Sequence, residues 1–173
     1  NFIEVNSLNF ETSIINTNRC NFLRNSDKII EVDIHYPNYG QVYAEPTDSI
    51  IFKDTLKGNN VDIHLRDGGG VLDLNVDVNY ISLTISYGVG SFNVRGKTKS
   101  ASLSVQNMGF GNALGLSSKY FWIYQNSTAD VLVNMENADV DVLFNGNGDV
   151  RYTGIPNSLN IEGKGPGEVI TYE

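Results

Sequence analysis

Only one of the 173 residues is cysteine, Cys20. A single thiol excludes an intramolecular disulfide framework and any multi-thiolate metal site, and Cys20 reads as a small buried hydrophobe. Charge is sparse, at 18 % of residues, and basic side chains are the scarcer kind, 12 against 20 acidic, for a net charge of −8. That balance argues against a phosphate-tracking nucleic-acid binder and against docking on an anionic membrane surface. Sparse charge beside 40 % hydrophobic content also excludes intrinsic disorder. No apolar run approaches the length of a membrane span. No stretch keeps the i, i+3, i+4, i+7 apolar spacing of a helix.

Glycine is scarce early and plentiful late. Of 17 glycines only Gly40 and Gly58 precede Gly68. The shift coincides with an internal repeat. Pairs of apolar residues spaced by one recur as Ile63/Leu65, Leu83/Ile85, Leu103/Val105, Phe121/Ile123, Val140/Val142 and Leu159/Ile161. Counted on the first member, the steps are 20, 20, 18, 19 and 19. A glycine turn follows most pairs, such as Gly88-Val89-Gly90 and Gly146-Asn147-Gly148, and Asn126-Ser127-Thr128 fills that slot in the fourth repeat. Asn tolerates positive φ better than other non-glycine residues, so this substitution is chemically sensible. A second alternating pair follows each turn: Leu72/Leu74, Phe92/Val94, Leu114/Leu116, Val131/Val133, Val150/Tyr152 and Val169/Thr171, with a weaker early copy at Val42/Ala44 and Ile50/Phe52.

Alternation of period two means strands. Its phase flips at Asn79-Tyr80, as at a corner or bulge. About 19 residues at ~3.3 Å each trace a path of about 60 Å, suited to one coil of a β-solenoid whose coils stack ~4.8 Å apart. The expected fold is therefore all-β: a single-stranded right-handed β-helix with coils of about 19 residues, its hand following the crossover rule. A meandering antiparallel sandwich is the competing reading, but such folds do not keep one turn motif at near-constant spacing. The chain reads as one domain, 1–173, with repeats over 41–173 and an irregular N-terminal cap over 1–40. Within the cap, Phe2–Val5, Ser13–Asn16 and Ile29–Tyr36 read as strands.

The last repeat stands as Phe144-Asn145-Gly146-Asn147-Gly148-Asp149-Val150-Arg151-Tyr152-Thr153-Gly154-Ile155-Pro156, followed by Gly163-Lys164-Gly165. With the earlier Gly-x-Gly turns it resembles the auto-transporter adhesin, head GIN domain family of Bacteroidetes, over roughly residues 30 to 171. The resemblance implies a right-handed β-helix exported to the periplasm or cell surface. It also agrees with a chain that starts at Asn1 after loss of a leader. It carries over no catalytic residue and no cofactor.

The strongest candidate site is Tyr120-Phe121-Trp122-Ile123-Tyr124. Phe121 and Ile123 take inward columns, so Tyr120, Trp122 and Tyr124 face outward. The repeat map puts Asp139, Asp141 and Leu143 beside them on one side and Ser102, Ser104 and Gln106 on the other. Aromatic faces beside carboxylates and hydroxyls suit a sugar, whose apolar face stacks on a ring while its hydroxyls bond the polar rim. The same strip suits a protein partner, where Tyr and Trp are enriched, or a second copy of the chain. Outward Leu132 and Leu143 favour cover or self-association.

Other chemistry finds less support. Asp73-x-Asn75-x-Asp77-x-Asn79 lacks the glycine and the bidentate acid of a calcium loop, so no metal site is assigned. Gly146-Asn147-Gly148-Asp149 resembles one unit of a calcium nonapeptide repeat but is not tandem, and reads as a turn. Asp139 and Asp141 are the pair a polysaccharide hydrolase would use, yet fold analogy alone is weak warrant for an enzyme, and neither His35 nor His64 maps near them. His64 is expected on the surface, in a column with Thr84, Ser104 and Trp122. The leading expectation is a non-catalytic, adhesin-like exported module with a glycan or protein ligand. A structural or self-associating envelope module is the alternative.

Overall fold

The computed structural model describes residues 3–8, 11–17, 31–35 and 40–172. The chain divides into two compact units, Asn1–His35 and Tyr36–Glu173. In the first, β1 (Ile3–Leu8) and β2 (Glu11–Asn16) form an antiparallel hairpin in which Ile3 faces Asn16 and Leu8 faces Glu11. Two of the three expected N-terminal strands are thus present. The third is not: residues 31–35 carry no strand pairing, while Phe2, residues 29–30, Tyr36 and Cys20 lie outside the described residues. Val32 and Ile34 are both exposed.

The second unit is a β-solenoid of about 7 turns, with no helix among the described residues. Its strands are β3 (Gln41–Ala44), β4 (Ile50–Ile51), β5 (Leu56–Arg66), β6 (Val71–Ser86), β7 (Ser91–Asn107), β8 (Phe110–Ser127), β9 (Val131–Asn134), β10 (Asp139–Phe144), β11 (Val150–Thr153), β12 (Ser158–Gly163) and β13 (Val169–Thr171). Every pairing among them is parallel. In the middle coils one long strand covers both faces and bends at its centre. Asn79 and Tyr80, where the alternation flips, are consecutive exposed residues between buried Val78 and Ile81. At that bend Thr98 and Ser118 turn inward, and their hydroxyls donate to the backbone carbonyls of Asn79 and Tyr120.

The core is a set of inward columns with one residue per coil. Ile63, Leu83, Leu103, Ile123 and Val142 stack on one side, and Leu72, Phe92, Val131 and Val150 on the other, all at 2 % exposure or less. Stacked equivalents have no room to slip by one, because that would turn every core side chain into solvent.

The repeat alignment needs one correction. Phe121 and Ile123 stack on Ala101 and Leu103, not on Leu103 and Val105, so the step of 18 is in fact 20. The inward pair of this coil is Ile123 and polar Gln125, so the apolar pair falls two residues early; β8 also carries a one-residue irregularity. Asn93 pairs with Asn112 but Arg95 with Gly115, and the extra residue lets Leu114 leave the inward column. Val131 and Val133 accordingly stack on Gly111 and Ala113 instead of Leu114 and Leu116. Gly111 is small because Phe92 of the preceding coil fills its space: a Cβ there would touch the Phe92 ring.

The corners also depart from expectation. Positive φ falls on Asp67, Tyr87 and Asn107, one residue or more before the turn glycines, and Asn126 is in a strand. The glycines themselves are required by stacking. A Cβ on Gly88, Gly146 or Gly165 would strike the backbone carbonyl of Gly68, Ser127 or Gly146 in the corner beneath. Rungs ~4.8 Å apart leave no space for a side chain directed along the axis.

Candidate functional site

The middle of β8 alternates cleanly. Phe121 and Ile123 are fully buried, and Tyr120, Trp122 and Tyr124 lie on the opposite face. Trp122 is 38 % exposed, while the two tyrosines are half-buried. The rings of Trp122 and Tyr124, two residues apart on one strand face, lie nearly parallel at 22° with centroids 6.2 Å apart. Together they form a continuous aromatic platform, in the offset geometry that aromatic pairs prefer.

On one side β10 supplies the neighbours expected. Asp139 pairs with Tyr120, Asp141 with Trp122 and Leu143 with Tyr124. Beyond it β12 adds Ser158, Asn160 and Glu162 in the same three columns, a row the sequence reading did not reach. On the other side stand Ser100, Ser102 and Ser104, in place of the expected Ser102, Ser104 and Gln106, as the corrected register requires. His64 moves with them: its column runs through Thr84 and Ser104 to Tyr124, not to Trp122. Its Nε2 lies 2.6 Å from the Ser86 hydroxyl and its ring tilts against Tyr43, so it is already satisfied away from the strip.

Local bonding orders the strip. The Tyr120 hydroxyl donates to Asp141 Oδ2 across the coil boundary. This bond, then partial burial, then the negative charge of Asp141 raise the Tyr120 phenol above its ordinary value. Asp139 accepts from the Ser158 hydroxyl at 2.7 Å. A shallow groove of about 250 Å³ opens beside the platform, lined by Trp122, Asp141, Leu143, Asn160 and Glu162. Leu132, named with Leu143 as outward apolar cover, is half-buried on β9, beside Arg151 of β11 and away from the strip.

The acidic residues elsewhere have different work. Asp73 pairs with Arg95 and Asp77 with Lys97, so the run that resembles a calcium loop is a solvated face neutralised by the next coil. At a corner further along, Arg151 clamps Asp130 at 2.7 Å and Asp149 at 2.8 Å, and these carboxylates raise the guanidinium's pKa further. Asp130 Oδ1 accepts the Asp149 N–H and Asp149 Oδ1 the Glu168 N–H, so this part of the Gly-x-Gly-Asp string locks successive coils together. No group of three or more His, Cys, Asp or Glu among the described residues has metal-binding geometry.

The comparisons agree with this architecture. A solved structure of a "putative adhesin" from Bacteroides fragilis superposes with a TM-score of 0.86 at 20 % identity, over 99 % of this chain and 77 % of that one; identity that low establishes a shared fold alone. No functionally curated protein matches the chain. A family model described as "Putative auto-transporter adhesin, head GIN domain" matches residues 5–156. That span takes in the hairpin unit, most coils of the solenoid and the Gly146–Pro156 string, and the chain belongs to this head GIN domain family.

Proposed function

We propose that the chain is an adhesin-like, non-catalytic module that binds a glycan or protein at the cell envelope through Tyr120, Trp122, Tyr124, Asp139 and Asp141. The observation that carries this reading is the exposed Trp122–Tyr124 platform beside a groove rimmed with carboxylate and amide groups. A pyranose ring stacks its apolar face on such a platform and meets polar partners at the rim, so a glycan is the preferred ligand. The family description supports an adhesin-like role and hence export to the periplasm or cell surface.

A hydrolase reading finds little support in the carboxylates. Glycoside hydrolysis requires one of the pair to be kept protonated in an apolar surround. Asp139 is exposed and accepts from Ser158, and Asp141 accepts from Tyr120.

Trp122 is the chain's only tryptophan, so its emission reports this strip alone. Titration with envelope and host polysaccharides should shift or quench that emission, and Trp122→Ala should abolish binding in a folded monomer. Silence toward every glycan, together with a changed oligomeric state in Trp122→Ala, would reassign the strip to contact between copies of the chain.

A further inference from the structure

We propose that the strip takes an extended amino-sugar glycan, laid along the solenoid axis, with its ammonium groups held by Asp141 and Glu162. The inference rests on the glycan-binding reading above and specifies the ligand's class and direction.

The groove sets the direction. Its lining residues Trp122, Asp141 and Asn160 occupy one column on three successive coils, with Leu143 and Glu162 in the adjoining column. Rungs ~4.8 Å apart make this a path across the strands, which a linear chain follows but a compact ligand does not fill.

Charge sets the class. The outward positions of β10, β12 and the Tyr120–Tyr124 part of β8 carry Asp139, Asp141 and Glu162 and no cation; Lys119, the residue before Tyr120 on β8, and Lys164, just past β12, flank the face. Five acids elsewhere, Asp67, Asp73, Asp77, Asp130 and Asp149, each pair with an arginine or lysine. Asp139, Asp141 and Glu162 make no such ion pair. No ion pair neutralises these three carboxylates, and they lie beside an aromatic platform whose ring faces attract a cation. A sugar bearing an ammonium group satisfies both features at once. A uronic acid or sulfated sugar meets repulsion from three carboxylates.

The test follows Trp122 emission while the protein is titrated with a glucosamine hexamer, a glucosamine dimer, an N-acetylglucosamine hexamer and polygalacturonate. The glucosamine hexamer should bind about tenfold more tightly than its acetylated counterpart. It should also bind more tightly than the dimer, and its advantage should shrink in high salt. Glu162→Gln and Asp141→Asn should each reduce that advantage severalfold, read as the ratio of the two hexamers' affinities in the same variant. Both side chains are on the outer face, and a native-like strand signature in circular dichroism confirms that the variants fold. Equal binding of the acetylated and free-amine hexamers, equal binding of dimer and hexamer, or binding of polygalacturonate overturns this inference and leaves the glycan-binding strip standing. Silence of Trp122 toward all four probes overturns the inference together with the reading on which it rests.

Discussion

The Ser127 backbone N–H donates to Gln125 Oε1 at 2.6 Å, inside a solenoid whose other inward columns are almost wholly apolar. Gln125 Nε2 in turn donates to the Ala129 carbonyl at 2.8 Å, and the Ser127 hydroxyl donates to the Gly109 carbonyl at 2.7 Å. These two side chains close the corner of the one coil whose turn slot has no glycine. This corner adds a buried polar pair to the backbone bond from the Thr128 N–H to the Asn107 carbonyl, and no buried side-chain polar atom among the described residues is left without a partner.

Gln125→Leu nearly keeps the volume and removes both bonds, leaving a buried N–H and a part-buried carbonyl without this partner. We expect a loss of about 2–4 kcal/mol, read from the urea midpoint with the slope unchanged. A loss within about 0.5 kcal/mol would mean that water or a shifted corner supplies those bonds instead.

Gly146→Ala should destabilise by about 1–3 kcal/mol, because its methyl group presses on the Ser127 backbone of the coil beneath. Gly40→Ala is the matched control. A Cβ there meets nothing within 4 Å, and its effect should stay within about 0.5 kcal/mol. Equal losses at the two sites in thermal unfolding would refute the stacking explanation of the glycine corners.

Tyr120 gives a pH signature. Its phenol is raised above 10.0 by the bond it donates to Asp141, then by burial and by the Asp141 charge. The folded state therefore favours the neutral phenol more than the unfolded chain does. The stability this contributes is fully present below the unfolded value, and it is lost as the pH rises from there through the raised folded value. In phenolate absorbance, one tyrosine should titrate late in the native protein. That late step should vanish in Tyr120→Phe and move back toward 10.0 in Asp141→Asn. An unchanged titration curve in both variants would show that the hydroxyl bond does not hold in solution.

Most of the solenoid was legible in the sequence because its inward residues alternate with period two and its corners repeat. Ile63/Leu65, Leu83/Ile85 and the pairs after each turn were enough to align all coils but one. The fourth failed for a local reason: Leu114 looks like a core residue, and only the one-residue irregularity opposite Val94 turns it away from the column. Separately, polar Gln125 takes the inward slot beside Val105, and the apolar pair read two residues early shifted the serines assigned beside the strip and the column of His64. The strip was legible in part. Tyr120, Trp122, Tyr124, Asp139 and Asp141 follow from alternation and the next step of 19; Asn160 and Glu162 alternate with the Leu159/Ile161 pair one step further on, and only the groove joins them to the strip.

By itself the sequence determined the all-β class, the parallel stacking and which side of each strand faces inward, since a strand's two faces alternate and only one can be apolar and buried. Only the tertiary structure decided which residues stack on which, because register depends on the lengths of corners and on a single extra residue that composition does not mark. It also gave the glycines their reason. Plentiful after Gly68 and scarce before it, most corner glycines serve less to reach positive φ, which Asp67, Tyr87 and Asn107 supply and among the turn glycines Gly163 also adopts, than to leave space for the backbone of the neighbouring coil.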